Sequence, residues 1–373
     1  MAQKIRFVNA SKSEFFPVLK KRMDQYFEGS NRSRNANGLM VFKIVFYLTG
    51  LIGSWSALIF APLPVWGTYI AWGSMGLFAA FIGLGICHDA IHGSLFKSKQ
   101  LNRAFSFLFN IVGANDYIWD IMHNKIHHTY TNIEGVDEDL KSAPFLRLSP
   151  HMKRKPIHRF QHWIAVPAYG LASLSWVFLK DFVKFSKKSI GIWPTPKHPR
   201  SAWIRLFVGK AIYYTLFIVM PAIFVAAPWY HIVLGFLFMH YLEGMTLAVI
   251  FMMAHVVEET HFPIPDEAGK IHQSWAAHQL YTTANFATGS AATSFFCGGL
   301  NFQVEHHLFP NVCHVHFPAM AKIVKATAAE YNLPYYDNHS LASAFQSHIR
   351  LLKKLGNSDE GFGNIGIEKS KAA

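Results

Sequence analysis

Four apolar runs, arranged as two pairs, constrain this chain more than any other feature. They cover about residues 39–63, 65–87, 206–227 and 229–253. Each is long enough to cross a bilayer as a helix. Pro62 and Pro64 mark a tight connection inside the first pair, and Pro228 separates the members of the second. Each pair therefore reads as a helical hairpin. Trp203, Trp229 and Tyr230 stand where interfacial anchors belong. Lys43, near the start of the first run, is expected to snorkel its ammonium out to the interface.

Charge tests that topology. The hairpin tips at 62–66 and 227–230 carry no Lys or Arg, whereas the other connecting segments are rich in both. The positive-inside rule then puts both tips outside and both termini in the cytoplasm. The net charge of +13 would by itself suggest nucleic acid. Here the bases flank apolar spans in a chain that is 51% hydrophobic and only 15% charged, so they are assigned to a cytoplasmic membrane face and no nucleic-acid partner is expected.

The expected architecture is an all-α integral membrane protein: four transmembrane helices in two hairpins under a helical cytoplasmic cap. Residues 1–37 form a basic cytoplasmic segment without a hydrophobic signal region, 38–355 form one domain, and 356–373, rich in Gly and charge, form a disordered tail. The apolar stretch His162–Phe182 is read as an interfacial helix, because a fifth crossing would put the histidines before and after it on opposite faces. Residues 104–114 are too short to span and are also placed at the interface. Cys87, Cys297 and Cys313 form no C-x-x-C pair, which argues against a disulfide scaffold or a cysteine-built zinc site.

Three histidine-bearing stretches lie at or beyond the ends of the spans. They are His88-Asp89-Ala90-Ile91-His92, His123-Asn124-Lys125-Ile126-His127-His128 and Gln303-Val304-Glu305-His306-His307. On a helix, His88 and His92 share a face, as do His123 and His127. Neutral imidazole is the commonest protein metal ligand. One such pair has an ordinary structural explanation; two pairs and two adjacent doublets in so apolar a chain point to a metal centre. The topology puts every stretch on the cytoplasmic side, so they can converge on one site.

These stretches resemble the three histidine boxes of the membrane fatty acyl desaturases, over about residues 39–318. The third box, Gln303 to Pro310, is the most specific part. Most relatives begin it with histidine, and a leading glutamine resembles the front-end branch, which desaturates between an existing double bond and the carboxyl end. The resemblance implies two iron ions held almost wholly by histidines, with O2 as co-substrate and two electrons consumed. The implied ligands are His88, His92, His123, His127, His128, His306 and His307. His255, just beyond the fourth run, joins them on placement and resemblance. Gln303 either binds metal weakly, directly or through water, or only hydrogen-bonds behind the ligands. Soluble di-iron bundles use Glu-x-x-His pairs instead, a pattern almost missing near these boxes.

Metal-bound histidines donate their second ring N–H to a carboxylate or carbonyl. Asp89, Asn132, Asp137 and Glu258 are the candidates for that role, with Asp120, Asp139 and Glu305 also near in sequence. His278, His314 and His316 are left outside the ligand set, in supporting or surface roles. His240 and Glu243 lie one turn apart inside the fourth run, where ionisable groups are costly; they either pair or line a substrate tunnel.

Front-end relatives often carry a fused cytochrome b5 domain with a His-Pro-Gly-Gly motif. That motif is absent here, so a separate cytochrome b5 or ferredoxin is the expected electron donor. The basic face suits an acidic donor, anionic membrane lipids or the phosphates of coenzyme A. The expected substrate is a long-chain acyl group, as acyl-CoA or acyl lipid. Rival readings are a fatty acid or lipid hydroxylase of the same superfamily, a sphingolipid desaturase, a zinc protease built on His88-x-x-x-His92, and a metal transporter. A protease needs about three ligands and leaves the other boxes unexplained. A transporter's histidines should lie within the spans.

Overall fold

The computed structural model describes residues 5–9, 12–141, 143–195 and 197–358. Four of its helices are long and apolar enough to cross a membrane: Gly38–Phe60, Val65–Ile91, Arg200–Phe224 and Trp229–His255. The first starts where the Asn37 side chain accepts from the Met40 N–H, and it ends just before Pro62. Its neighbour begins directly after Pro64. The third starts at Arg200, six residues before the apolar run, because Pro199 already sets the backbone for a helix start there.

The second long helix is the central one. Of its apolar window 72% is buried, against 22–33% for the other three. Its tightest contact is with the fourth. A Cβ on Gly76 would have no room against the Met239 carbonyl, so only glycine lets these two backbones meet. Trp55 ties the first helix to the third by donating to the Leu216 carbonyl at 2.9 Å. This end of the molecule is one apolar core that includes Tyr47, Trp72, Met75 and Tyr213.

Lys43 does not snorkel. It is buried, and its Nζ lies 2.6 Å from His314 Nε2. His314 Nδ1 in turn stands 2.8 Å from an Asp89 carboxylate oxygen. A partner inside the protein replaces the interface for this ammonium, and all three groups come from segments far apart in sequence.

The segment expected as one interfacial helix over His162–Phe182 is two arms, Pro156–Tyr169 and Ala172–Ser186, bent by 73°. Pro167 removes one helical N–H, and Gly170 sits against the Tyr241 ring of the fourth long helix, so the chain turns there. The elbow exposes Trp163, Leu171 and Leu179. Residues 104–114 supply the end of Lys99–Ser106, the short helix Leu108–Ile111, and the buried Phe109 and Val112.

Helix Leu341–Asn357 packs on Trp229–His255, and Phe317–Glu330 packs on both Gln303–Leu308 and Phe15–Gly29. Three two-stranded pairings tie the connections together; one joins Arg6–Phe7 to Lys270–Ile271 in parallel. The last helix runs to Asn357, past the boundary expected at 356, and the tail from 359 lies outside the described residues.

Candidate metal centre

His88 and His92 occupy the last turn of the second long helix, with ring centroids 4.8 Å apart. The i, i+4 spacing does what a helix makes it do. The second histidine stretch departs from that rule. Asp120–His127 is wound as a π-helix. In such a turn residue i lies beneath i+5 rather than i+4. His123 Nε2 therefore stands 3.1 Å from His128 Nε2 and 2.9 Å from His88 Nε2. His127 turns the other way, and its Nε2 lies 3.3 Å from that of His255, the last residue of the fourth long helix. The short helix Gln303–Leu308 brings His306 and His307 between the two groups: the His306 ring is 4.4 Å from His88 and 4.5 Å from His128, and the His307 ring is 4.3 Å from His128 and 4.8 Å from His255.

Two sets result. His88, His92, His123 and His306 form one, and His127, His255 and His307 the other; within each, the candidate ligand atoms lie within 4.8 Å of one another. His128 groups with both His306 and His307 and stands between them. All eight predicted histidines are brought together. Gln303 joins at the second set, its side-chain amide 3.0 Å from His255 Nε2.

The donor set fits metal. His92, His306 and His307 are deep in the cluster, yet their Nε2 atoms have no hydrogen-bond partner among the described residues, and neither has Gln303 Oε1. Unpartnered polar atoms in such places call for an explanation, and a cation supplies one. Burial, helped by the neighbouring rings, pulls His92, His123, His128, His306 and His307 well below the ordinary histidine value. They are neutral, so the facing Nε2 atoms present lone pairs. His127 differs: burial lowers it, but Asp137 and Asp139 outweigh burial and hold it at about 9.

The groups behind the rings were only partly legible in sequence. Asp137 lies 3.0 Å from His127 Nδ1, with Asp139 at 3.5 Å. The Asn132 side chain donates to the His255 carbonyl at 2.8 Å, and its backbone N–H donates to Asp137. Asp89 is buried beside the cluster but pairs with His314, which is therefore a supporting residue and not a surface one. Glu258 corrects the expectation: it points to the surface and pairs with the exposed Arg350, because the chain turns away immediately after His255. Asp120 accepts from Asn124. Glu305 is buried among Asn285 and Tyr335, and burial pushes its carboxyl up to about 7. Sequence reasoning missed Gln279, whose Oε1 accepts at 2.8 Å from His307 Nδ1, and the Thr282 carbonyl, 3.2 Å from His255 Nδ1. No spacing signal marks either residue.

A cavity of about 380 Å³ opens onto this cluster. His88 and Trp119 line it on the histidine side, apolar residues of the second and fourth long helices line its flanks, and Asp139, Lys141, Lys180 and Glu243 are its charged lining residues. A more open groove of about 500 Å³ lies beside Ile91 and Gly93; Lys97, Lys99 and Arg103 line it, and no histidine does.

Converging imidazoles that could hold metal, beside an apolar cavity and among helices able to cross a membrane, are what a membrane enzyme acting on an apolar chain requires. Residues 64–339 match the model of the fatty acid desaturase family, and the chain belongs to that family. It is an integral membrane oxidoreductase, a fatty acyl desaturase. It is 32% identical to the acyl-lipid (8-3)-desaturase of Physcomitrium patens, over 94% of this chain and 74% of that one. It is 31% identical to the sn-1 linoleoyl-lipid 6-desaturase of Synechocystis sp., over 95% and 98%, and 32% identical to the acyl-lipid (8-3)-desaturase of Mortierella alpina, over 92% and 78%. Family membership sets aside the protease and transporter readings.

Proposed function

We propose that the two histidine sets hold two irons, and that the enzyme uses O2 to introduce a double bond into a long-chain acyl lipid on the carboxyl side of an existing one. The single observation behind this reading is an apolar cavity that reaches His88 at the edge of a cluster of eight histidines, in which the Nε2 atoms of His92, His306 and His307 have no partner among the described residues. The lipid carrier and the front-end position are supported by the activities for which the relatives are named and by the glutamine that leads the third box.

Irons bound there supply, with O2 and two electrons, an oxidant able to take hydrogen from an unactivated methylene. The chain's own residues do the rest. Asp137 accepts from His127 Nδ1–H, Gln279 from His307 Nδ1–H and the Thr282 carbonyl from His255 Nδ1–H, which aims each Nε2 at the cluster; His127 would give up its Nε2 proton on binding metal. The cavity walls exclude water and hold the acyl chain extended past His88. Gln303 places its side-chain nitrogen 3.0 Å from His255 Nε2, and with the amide flipped so that Oε1 takes that place it serves as a weak or water-mediated ligand.

The same reading places the hairpin tips outside and the histidine cluster, under its helical cap, on the cytoplasmic face, with the bent segment Pro156–Ser186 resting its apolar elbow in the membrane surface. Electrons come from a separate cytochrome b5 or ferredoxin, drawn to the basic face by opposite charge. The deciding experiment is expression in a host lacking the product, with double-bond localisation by lipid mass spectrometry and iron measured on the purified chain. A front-end double bond and about two irons per chain are expected. Hydroxylated product, or activity without iron, overturns the proposal.

A further inference from the structure

The acyl cavity has a polar floor. Glu243 lines it although it lies inside a membrane-crossing helix, where a carboxyl group is costly. It is the first of a stripe, Glu243, Leu247, Ala248, Phe251 and Met252, that lines the cavity along one face of the fourth long helix and leads up to His255. Ala79, Gly83 and Leu84 form the matching stripe on the second long helix and lead to His88. At 1.5 Å per residue, the floor lies about 13 Å from His88 and about 18 Å from His255 along the two axes. An extended chain advances about 3.5 Å per three bonds, so this depth takes roughly 11 to 15 carbons.

Below Glu243 the cavity cannot continue. One turn down, the two helices touch where Gly76 meets the Met239 carbonyl. Glu243 itself is held. Its carboxylate lies 3.3 Å from His240 Nδ1, the Tyr213 hydroxyl reaches His240 Nε2 at 2.6 Å, and the Ser173 hydroxyl lies 2.8 Å from Nδ1 and 2.9 Å from the His240 carbonyl. With Nδ1–H donating to the Ser173 hydroxyl, Glu243 3.3 Å away beside it, and Tyr213 donating to Nε2, both ring nitrogens are satisfied from three helical segments. His240 is completely buried.

We propose that Glu243, braced by His240, Tyr213 and Ser173, is the chain-length stop of this enzyme, resting on the reading of the cavity as the acyl site. The terminal methyl of the substrate abuts the carboxylate. A longer chain would have to push Glu243 off His240 and leave a buried polar group unpaired. The stop thereby sets which carbon lies beside His88, because the chain is held between a fixed floor and the histidine cluster.

The test is a matched series of saturated and unsaturated acyl chains fed to cells, with products resolved by length and double-bond position. Glu243→Ala removes the stop, and the ratio of longer-chain to parent-chain product rises about tenfold or more for each methylene admitted. Glu243→Asp moves the same way to a smaller extent, and Glu243→Gln, equal in shape, keeps the parent profile. Membrane-inserted protein and iron content are measured in each case; if the alanine variant does not accumulate, the aspartate and glutamine variants decide. Unchanged length profiles in the variants beside an active wild type overturn the stop. A wild type that makes no desaturated lipid overturns the functional reading and the stop with it.

Discussion

The Nε2 atoms of His123 and His128 stand 3.1 Å apart although five residues separate them. An α-helix would pair His123 with His127 instead. The π-winding of Asp120–His127 splits one short stretch between two sets of imidazoles, so a single helix serves both halves of the cluster.

Loss of a ring from the first set should show in metal content before it shows in folding. His123→Ala or His306→Ala is expected to lower iron from about two per chain and to abolish product. Both are measured on purified protein and in cells. Full activity in either variant removes that residue from the site.

Asp137 and Glu258 separate a supporting carboxylate from a solvated one. Asp137→Asn should cost about 10- to 100-fold in activity or iron affinity, because the acceptor facing His127 Nδ1–H loses its negative charge. Glu258→Gln breaks only an exposed pair with Arg350 and should leave activity unchanged. Iron titration of the apo-protein alongside activity distinguishes the two; equal losses would contradict the assignment.

Gln303→Ala leaves a gap beside His255, and Gln303→His places a ring of different reach there. The alanine variant should be nearly inactive and the histidine variant impaired, since a misplacement of about 1 Å can cost roughly a hundredfold in rate. Both should remain membrane-inserted. Normal product at normal iron loading from the alanine variant would show that Gln303 is neither ligand nor support.

Lys43 is buried with His314 and Asp89, and Lys43→Ala leaves the Asp89 carboxylate with a weaker partner set. Leaving the buried His314 Nε2 without its partner costs about 1–3 kcal/mol. Thermal unfolding in detergent should report a clear loss of stability for Lys43→Ala and a smaller one for Lys43→Arg. An unchanged unfolding temperature would mean the ammonium contributes nothing there.

Topology is open to tagging. Tags at residues 64 and 228 should label from outside intact cells, and a tag between Asn132 and Pro150 should not. External labelling of the latter would end the four-span arrangement.

The sequence by itself determined the four long helices and the eight clustered histidines. Apolar length and i, i+4 spacing are local properties, and a helix expresses them wherever it sits. It also marked Asp137, which lies close in sequence to the ring it supports. Only the tertiary structure decided which histidine belongs to which set, because the π-turn at Asp120–His127 shifts the register by one residue within a stretch that reads as ordinary helix. Only it brought Gln279 to His307 across 28 residues, and Lys43 to His314 across 271. It alone sent Glu258 to the surface and closed the cavity on Glu243. Those outcomes depend on how distant segments pack, and a partner chosen by packing leaves no periodicity in the chain that carries it.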